Sequence, residues 1–162
     1  MERVIHEIPP IYDENSKILI LGSFPSVKSR ESQFFYGHPQ NRFWKVLAQI
    51  FKQEAPVSIE EKKKLLIENH VAVWDVIASC NIEGSSDSSI KDVTTNDLSR
   101  ILKKAEIKQI YCNGGTSYRL YKKYCESILG RTAIKLPSSS PANAAYRLER
   151  LVEQWKQIKD YL

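Results

Sequence analysis

Three aromatic rings and two carboxamides fall in one short stretch, Phe34-Phe35-Tyr36 followed by His38-Pro39-Gln40-Asn41. Flat rings offer stacking surface, and a carboxamide offers both a donor and an acceptor. Together they suit an extruded nucleobase, held by its faces and read at its edge. Just upstream, Ile18–Leu21 has no polar side chain, as expected of a strand covered on both faces in a parallel sheet. Gly22-Ser23-Phe24-Pro25-Ser26 breaks that strand sharply. Open α/β sheets bind ligands beyond the carboxyl ends of their strands, so this turn lies where a site belongs. A second polar cluster, Ser138-Ser139-Ser140-Pro141-Ala142-Asn143, follows another apolar run. Small hydroxyl donors ahead of a helix start would grip a backbone phosphate, or would only cap that helix.

Other single residues also have two uses. Asn41 could position a water and contact a sugar, or only cap the helix that begins at Arg42. Asn113 could read a base edge in bidentate fashion, yet the Asn113-Gly114-Gly115 turn needs unusual backbone angles in any case. Asp75, after Trp74, could hydrogen-bond base, sugar or water, or act as a buried cap. His38 reads as hydrogen-bonded structure rather than a catalytic base, and His6 and His70 have no supporting context.

These segments resemble the uracil-DNA glycosylase superfamily, over most of the chain. GSFPS, residues 22–26, stands where that superfamily has its first motif, and Leu136 to Asn143 stands in the place of the second. Tyr36-Gly37-His38-Pro39-Gln40-Asn41-Arg42-Phe43-Trp44 is similar to the corresponding run of the mismatch-specific uracil/thymine glycosylases. Those enzymes carry a catalytic Asn inside the first motif, where this chain has Phe24. The combination of GSFP, HPxNxFW, a Trp-Asp-Val strand and Ser-Pro-Ala-Asn resembles the DNA-deoxyinosine (hypoxanthine-DNA) glycosylase branch. The resemblance implies that Asn41 takes over catalysis and that Tyr36 stacks on the extruded base. It implies further that Gly22, Ser23 and Ser26 approach the substrate closely, that Phe24 lines the pocket and limits water, and that Pro141, Ala142 and Asn143 wedge into the duplex. The loop Glu83–Asp87 belongs to the resemblance and edges the pocket. Ser138 occupies a position where uracil enzymes often have His or Asn. A serine is a weaker donor, which suits a base that leaves easily once protonated, as hypoxanthine does at its imidazole nitrogen.

Length and composition agree with a single globular domain. The chain has 162 residues, 27% charged and 42% hydrophobic, an ordinary globular balance. A net charge of +5 with a pI near 9.0 is compatible with a polyanionic partner without demonstrating one. The clusters Lys62-Lys63-Lys64, Lys103-Lys104 and Lys122-Lys123 read as solvated helix faces. Cys80, Cys112 and Cys125 have no metal-ligand or disulfide spacing. No apolar run approaches the roughly 18 residues that span a bilayer, and the N-terminus has no leader pattern. A reduced, cytoplasmic protein without cofactor or metal is expected, acting as a monomer on DNA.

The elements that must position these residues alternate. Strands are expected at Ile18–Leu21, Val71–Trp74, Ile107–Cys112 and Thr132–Leu136. A helix follows Asn41, with Phe43, Val46, Leu47 and Ile50 on one face. The capping box at Ser58 to Glu61 starts another, running to Glu68. A short helix spans Asp97–Lys104, and one carrying Tyr118, Leu120, Tyr121, Tyr124 and Leu129 stops at Gly130. The last is expected to begin with Ser140 as N-cap and Pro141 as first residue, with Ala144, Leu148, Leu151, Trp155, Ile158 and Leu162 as its buried stripe. The first sixteen residues read as an arm, and Ser79 to Thr95 as a surface loop. The whole predicts an α/β three-layer sandwich around a four-stranded parallel sheet.

The expected activity is that of a monofunctional DNA glycosylase on DNA containing a deaminated base, preferably hypoxanthine. No Lys within the motifs offers the amine that a lyase step needs. Its rivals are a mismatch-type uracil glycosylase, a non-catalytic module that binds damaged DNA, and a small nucleotide-binding α/β protein. The last lacks both GxGxxG and GxxxxGK(S/T).

Overall fold

A computed structural model describes residues 2–162. Its centre is a parallel sheet of β2 (Ile18–Gly22), β3 (Val71–Asp75), β6 (Gln109–Asn113) and β7 (Ala133–Leu136), in the order β3-β2-β6-β7. Every residue of β2 and β3 is buried. Successive side chains of a strand point to opposite faces, so both faces of the sheet are covered and the molecule has three layers. The covering helices are α2 (Phe43–Ile50), α3 (Ile59–Glu68), α5 (Gly115–Tyr124) and α7 (Leu148–Trp155). α3 packs on β3, α5 packs on β6 and β7, and α2 pairs with α7. Short helices α1 (Val27–Ser32), α4 (Ser99–Leu102) and α6 (Glu126–Leu129) complete the set.

The local rules explain these elements. Phe43, Val46, Leu47 and Ile50 of α2 are buried, on the expected stripe. Ser58 and Glu61 form a reciprocal capping box at the start of α3. Gly130 takes a left-handed conformation and ends α6. The three cysteines are free and buried.

The structure corrects three expectations. The N-terminal arm contains β1 (Glu2–Ile5), and the supposed surface loop contains β4 (Ile77–Ile82) and β5 (Lys91–Thr95). These form a separate antiparallel sheet in the order β1-β4-β5. Residues after β1 pack inward as well: Ile8 and Ile11 are buried, and Ile11 bridges to Val73. Third, no helix begins at Pro141. Residues 141–147 make turns, and α7 starts at Leu148. Leu151, Trp155 and Ile158 are nonetheless buried as the stripe required.

β2 has β3 on one side and β6 on the other, so the chain reverses its direction of winding across β2. The carboxyl ends of β2 and β6 flank that switch point, where crevices form in open α/β sheets.

Candidate active site

A cavity of about 400 Å³ opens at this switch point, within the roughly 300–1,000 Å³ of small-molecule sites. Every strand of the parallel sheet delivers a residue to it at or just past its end. β2 supplies Gly22 and the turn through Ser26, β3 supplies Asp75, β6 supplies Asn113, and β7 leads to Ser138–Ala142. Phe35, Tyr36, His38 and Asn41 close the side facing α2, and Ser85–Ser88 form the rim.

One wall is a hydrogen-bonded chain whose direction is set by backbone donors. The Ser139 N–H donates to Asn113 Oδ1 at 3.0 Å, which fixes the orientation of that amide. Asn113 Nδ2 then donates to Ser139 Oγ at 2.9 Å, and Ser139 Oγ donates to Asn41 Oδ1 at 2.8 Å. The Phe43 N–H donates to the same Asn41 oxygen at 3.0 Å. Both lone pairs of Asn41 Oδ1 are therefore taken, and its Nδ2 is the group left for a ligand. Asn41 thus assists the helix start and faces the cavity at once.

Arg42 locks the adjoining loop. Its backbone N–H donates to Ser139 O at 3.1 Å, and its guanidinium donates to the carbonyls of Ser139, Ser140, Asn143 and Tyr146. These contacts explain why residues 139–146 turn rather than coil into a helix. Trp155, fully buried on α7, supports the same loop through its Nε1 donating to Pro137 O at 2.9 Å. Ser139, 0% exposed, is the hub of this hydrogen-bonded wall. Ser138 and Ser140 line the cavity and are partly exposed, while Asn143 Nδ2 donates to Ser138 O at 3.0 Å. The Ser140 hydroxyl caps a turn by accepting the Ala142 N–H, in place of the expected helix cap.

The opposite wall is built differently. Tyr36 lies half-buried with its ring stacked on Phe43, centroids 3.9 Å apart. Its hydroxyl is buried without a hydrogen-bond partner. Burial, with the nearby Asp75 charge, raises the pKa of this phenol well above its usual value, so it stays a neutral donor. Gly22 is required here: a Cβ on it would stand 2.3 Å from Asp75 Oδ1 and 3.1 Å from the Tyr36 hydroxyl. Phe24 is buried at the lining, and Ser23 Oγ donates to Asp87 Oδ1 at 3.3 Å, tying the turn to the rim. Ser26 caps α1 by accepting the Ser29 N–H at 3.2 Å. Gly114, with φ of 94°, turns the chain where its Cα approaches Ser138.

The structure brings Asn41, Tyr36, Phe24, Ser23, Asn113, Asp75, Ser26, Ser138, Ser139 and Ser140 around one cavity. Asn143 lies on the outer side of the Ser138–Ala142 loop, facing a neighbouring groove. Sequence reasoning missed Arg42, whose place beside Asn41 was the available signal. It also missed His6, whose ring donates from Nε2 to Asp75 Oδ2 at 2.8 Å across 69 residues of sequence. Among the described residues, no group of three His, Cys, Asp or Glu could hold a metal ion, and no helix is long and apolar enough to cross a membrane.

Comparison with known proteins is consistent along the chain. The uracil DNA glycosylase superfamily profile matches residues 9–160. A hypoxanthine DNA glycosylase of Methanosarcina acetivorans is 34% identical over 151 residues, covering 93% of this chain and 94% of the relative. A hypoxanthine DNA glycosylase of Methanosarcina barkeri is 36% identical over 137 residues, covering 83% and 85%. The solution NMR structure of a candidate uracil DNA glycosylase from Methanosarcina acetivorans superposes with a TM-score of 0.79, at 35% identity and 93% coverage of each chain.

Proposed function

The chain belongs to the uracil DNA glycosylase superfamily, and on that premise we propose that it releases hypoxanthine from deoxyinosine in DNA. Water adds to the anomeric carbon, the bond to the base nitrogen breaks, and the base departs with a proton, leaving an abasic site. The name borne by both Methanosarcina relatives supports this choice of base.

The observation that carries the reading is the Asn113–Ser139–Asn41 chain. It holds a carboxamide nitrogen at the cavity, ready to donate to the attacking water or to the sugar as charge develops. Phe24 cannot perform the chemistry of an asparagine at its position, and the resemblance to the deoxyinosine branch gives that task to Asn41. Tyr36 offers the base the part of its ring not covered by Phe43, a contact worth roughly 1–3 kcal/mol. Asp75 accepts from the ring N–H of the deaminated base. Asn113 has both ends of its amide committed to Ser139 and retains one Nδ2 hydrogen for the base. Ser23, Ser26, Ser138 and Ser140 meet the flanking backbone, with Pro141, Ala142 and Asn143 at the duplex. The enzyme acts as a monomer, in the cytoplasm, without a lyase step.

The test is base release from a duplex series carrying inosine, uracil, xanthine or thymine, with EDTA present. Hypoxanthine should be released fastest. Uracil outrunning it would move the enzyme to mismatch-type chemistry, and tight binding without release of any base would leave a damage-binding module.

A further inference from the structure

The N-terminal segment, outside every motif, packs behind the cavity lining against Asp75, Phe24 and Phe35. β1 pairs with β4, and the pairing continues through the His6 N–H donating to Ala78 O at 2.7 Å. This register carries the His6 side chain, 1% exposed, between pocket residues. Its ring meets Phe24 edge-on at 6.0 Å and Phe35 at 6.1 Å. The Ile8 N–H donates to His6 Nδ1 at 3.2 Å, so the ring proton resides on Nε2. That proton is donated to Asp75 Oδ2. Each polar atom of the imidazole is occupied, which leaves the ring one orientation.

Asp75 is 4% exposed, and its two oxygens differ in consequence. Oδ2 is held by His6. Oδ1 stands over Gly22 at the lining of the cavity, with the unpartnered Tyr36 hydroxyl for a neighbour. A carboxylate oxygen that opens on a cavity is an acceptor offered to a ligand donor. A base carrying a ring N–H beside a carbonyl supplies that donor, whereas adenine presents a ring acceptor at the same edge and would meet lone pair with lone pair.

We propose that His6 is a positioning residue for base selection: by holding Asp75 Oδ2 it aims Oδ1 at the base, so that the pocket accepts bases with a ring N–H and rejects adenine. This deepens the proposed function and rests on its placement of the base beside Asp75. The pair also sets the polarity. In Asp75→Asn the amide oxygen would turn to the His6 proton and the NH₂ would face the cavity, replacing an acceptor with a donor.

The test compares duplexes carrying inosine or adenine, each opposite cytosine, by competition binding and by single-turnover release. His6→Ala and His6→Phe should each lower the binding preference for inosine by about tenfold or more, because the site loses its oriented acceptor. The Phe variant fills the space between Phe24 and Phe35 and removes the donor, so it decides the matter if the Ala variant unfolds. His6→Gln, which can still donate to Asp75, should stay within about threefold of wild type, and Asp75→Asn should lose the preference altogether. A merely structural histidine would weaken both duplexes equally. An inosine-to-adenine ratio unchanged in His6→Phe would overturn the assignment. A wild type that releases no hypoxanthine defeats the proposed reaction instead, and the binding ratio still judges His6.

Discussion

The two walls of the cavity follow opposite rules. On the Asn41 wall each amide oxygen has its donors, the Arg42 guanidinium holds the carbonyls of Ser139, Ser140, Asn143 and Tyr146, and the hub Ser139 is sealed from solvent. On the Asp75 wall the Tyr36 hydroxyl is buried without a partner, and Asp75 Oδ1 stands beside it at the cavity lining. Native interiors rarely tolerate unpaired polar groups, so those that persist in a cavity mark where a ligand completes the bonding. In the proposed reaction the satisfied wall positions Asn41, and the other wall receives the base.

That contrast can be broken from either side. The largest effect is expected from Gly22→Ala, whose Cβ would collide with Asp75 Oδ1 and crowd the Tyr36 hydroxyl. Excision should fall by about 10²–10³-fold, the scale of losing one oriented group, with the far-ultraviolet spectrum unchanged. Retained excision would mean that the Asp75 wall is not used. Next comes Ser139→Ala, which cuts the chain between Asn113 and Asn41 while leaving both amides present. A fall in single-turnover rate of about 10²-fold follows if Asn41 is misplaced by an ångström, with weaker change in duplex binding. Equal loss of binding and rate would make Ser139 a general structural residue.

Trp155→Ala sharpens the comparison from behind the positioned wall. Removing this fully buried ring should cost about 3–5 kcal/mol of stability, read by denaturant unfolding. The smallest effect is on thiol chemistry. Burial pushes Cys112 up to about 12 and Cys125 up to about 11, so at pH 8 both remain protonated and shielded. Iodoacetamide should leave both unmodified in the native protein and should alkylate them in denaturant. Rapid native alkylation would contradict the packing around β6.

Much of this was legible in the sequence, for identifiable reasons. The four parallel strands announce themselves because burial on both faces requires uninterrupted apolar runs such as Ile18–Leu21 and Val71–Trp74. The small sheet does not, because strands such as Lys91–Thr95 alternate exposed and half-buried residues and read as polar loop. The false helix start at Pro141 had good local signals. They were overridden by Arg42, nearly a hundred residues distant, which claims the carbonyls of the Ser139–Tyr146 turns. Asn41, Asn113 and Asp75 could be named because each follows a strand end or opens a helix. The use of each amide could not, since hydrogen-bond direction depends on which backbone N–H the fold brings near. His6 was invisible for the same reason: its meaning lies in Asp75, and only the β1–β4 register joins them.

The most direct measurement is single-turnover release of hypoxanthine from a deoxyinosine duplex by wild type and Asn41→Ala, with duplex binding measured in parallel. The account predicts that the wild type releases base and that the variant binds but is slower by about 10²–10³-fold, as for loss of one oriented donor. Release by the variant at the wild-type rate would show that the positioned amide is not the catalytic group.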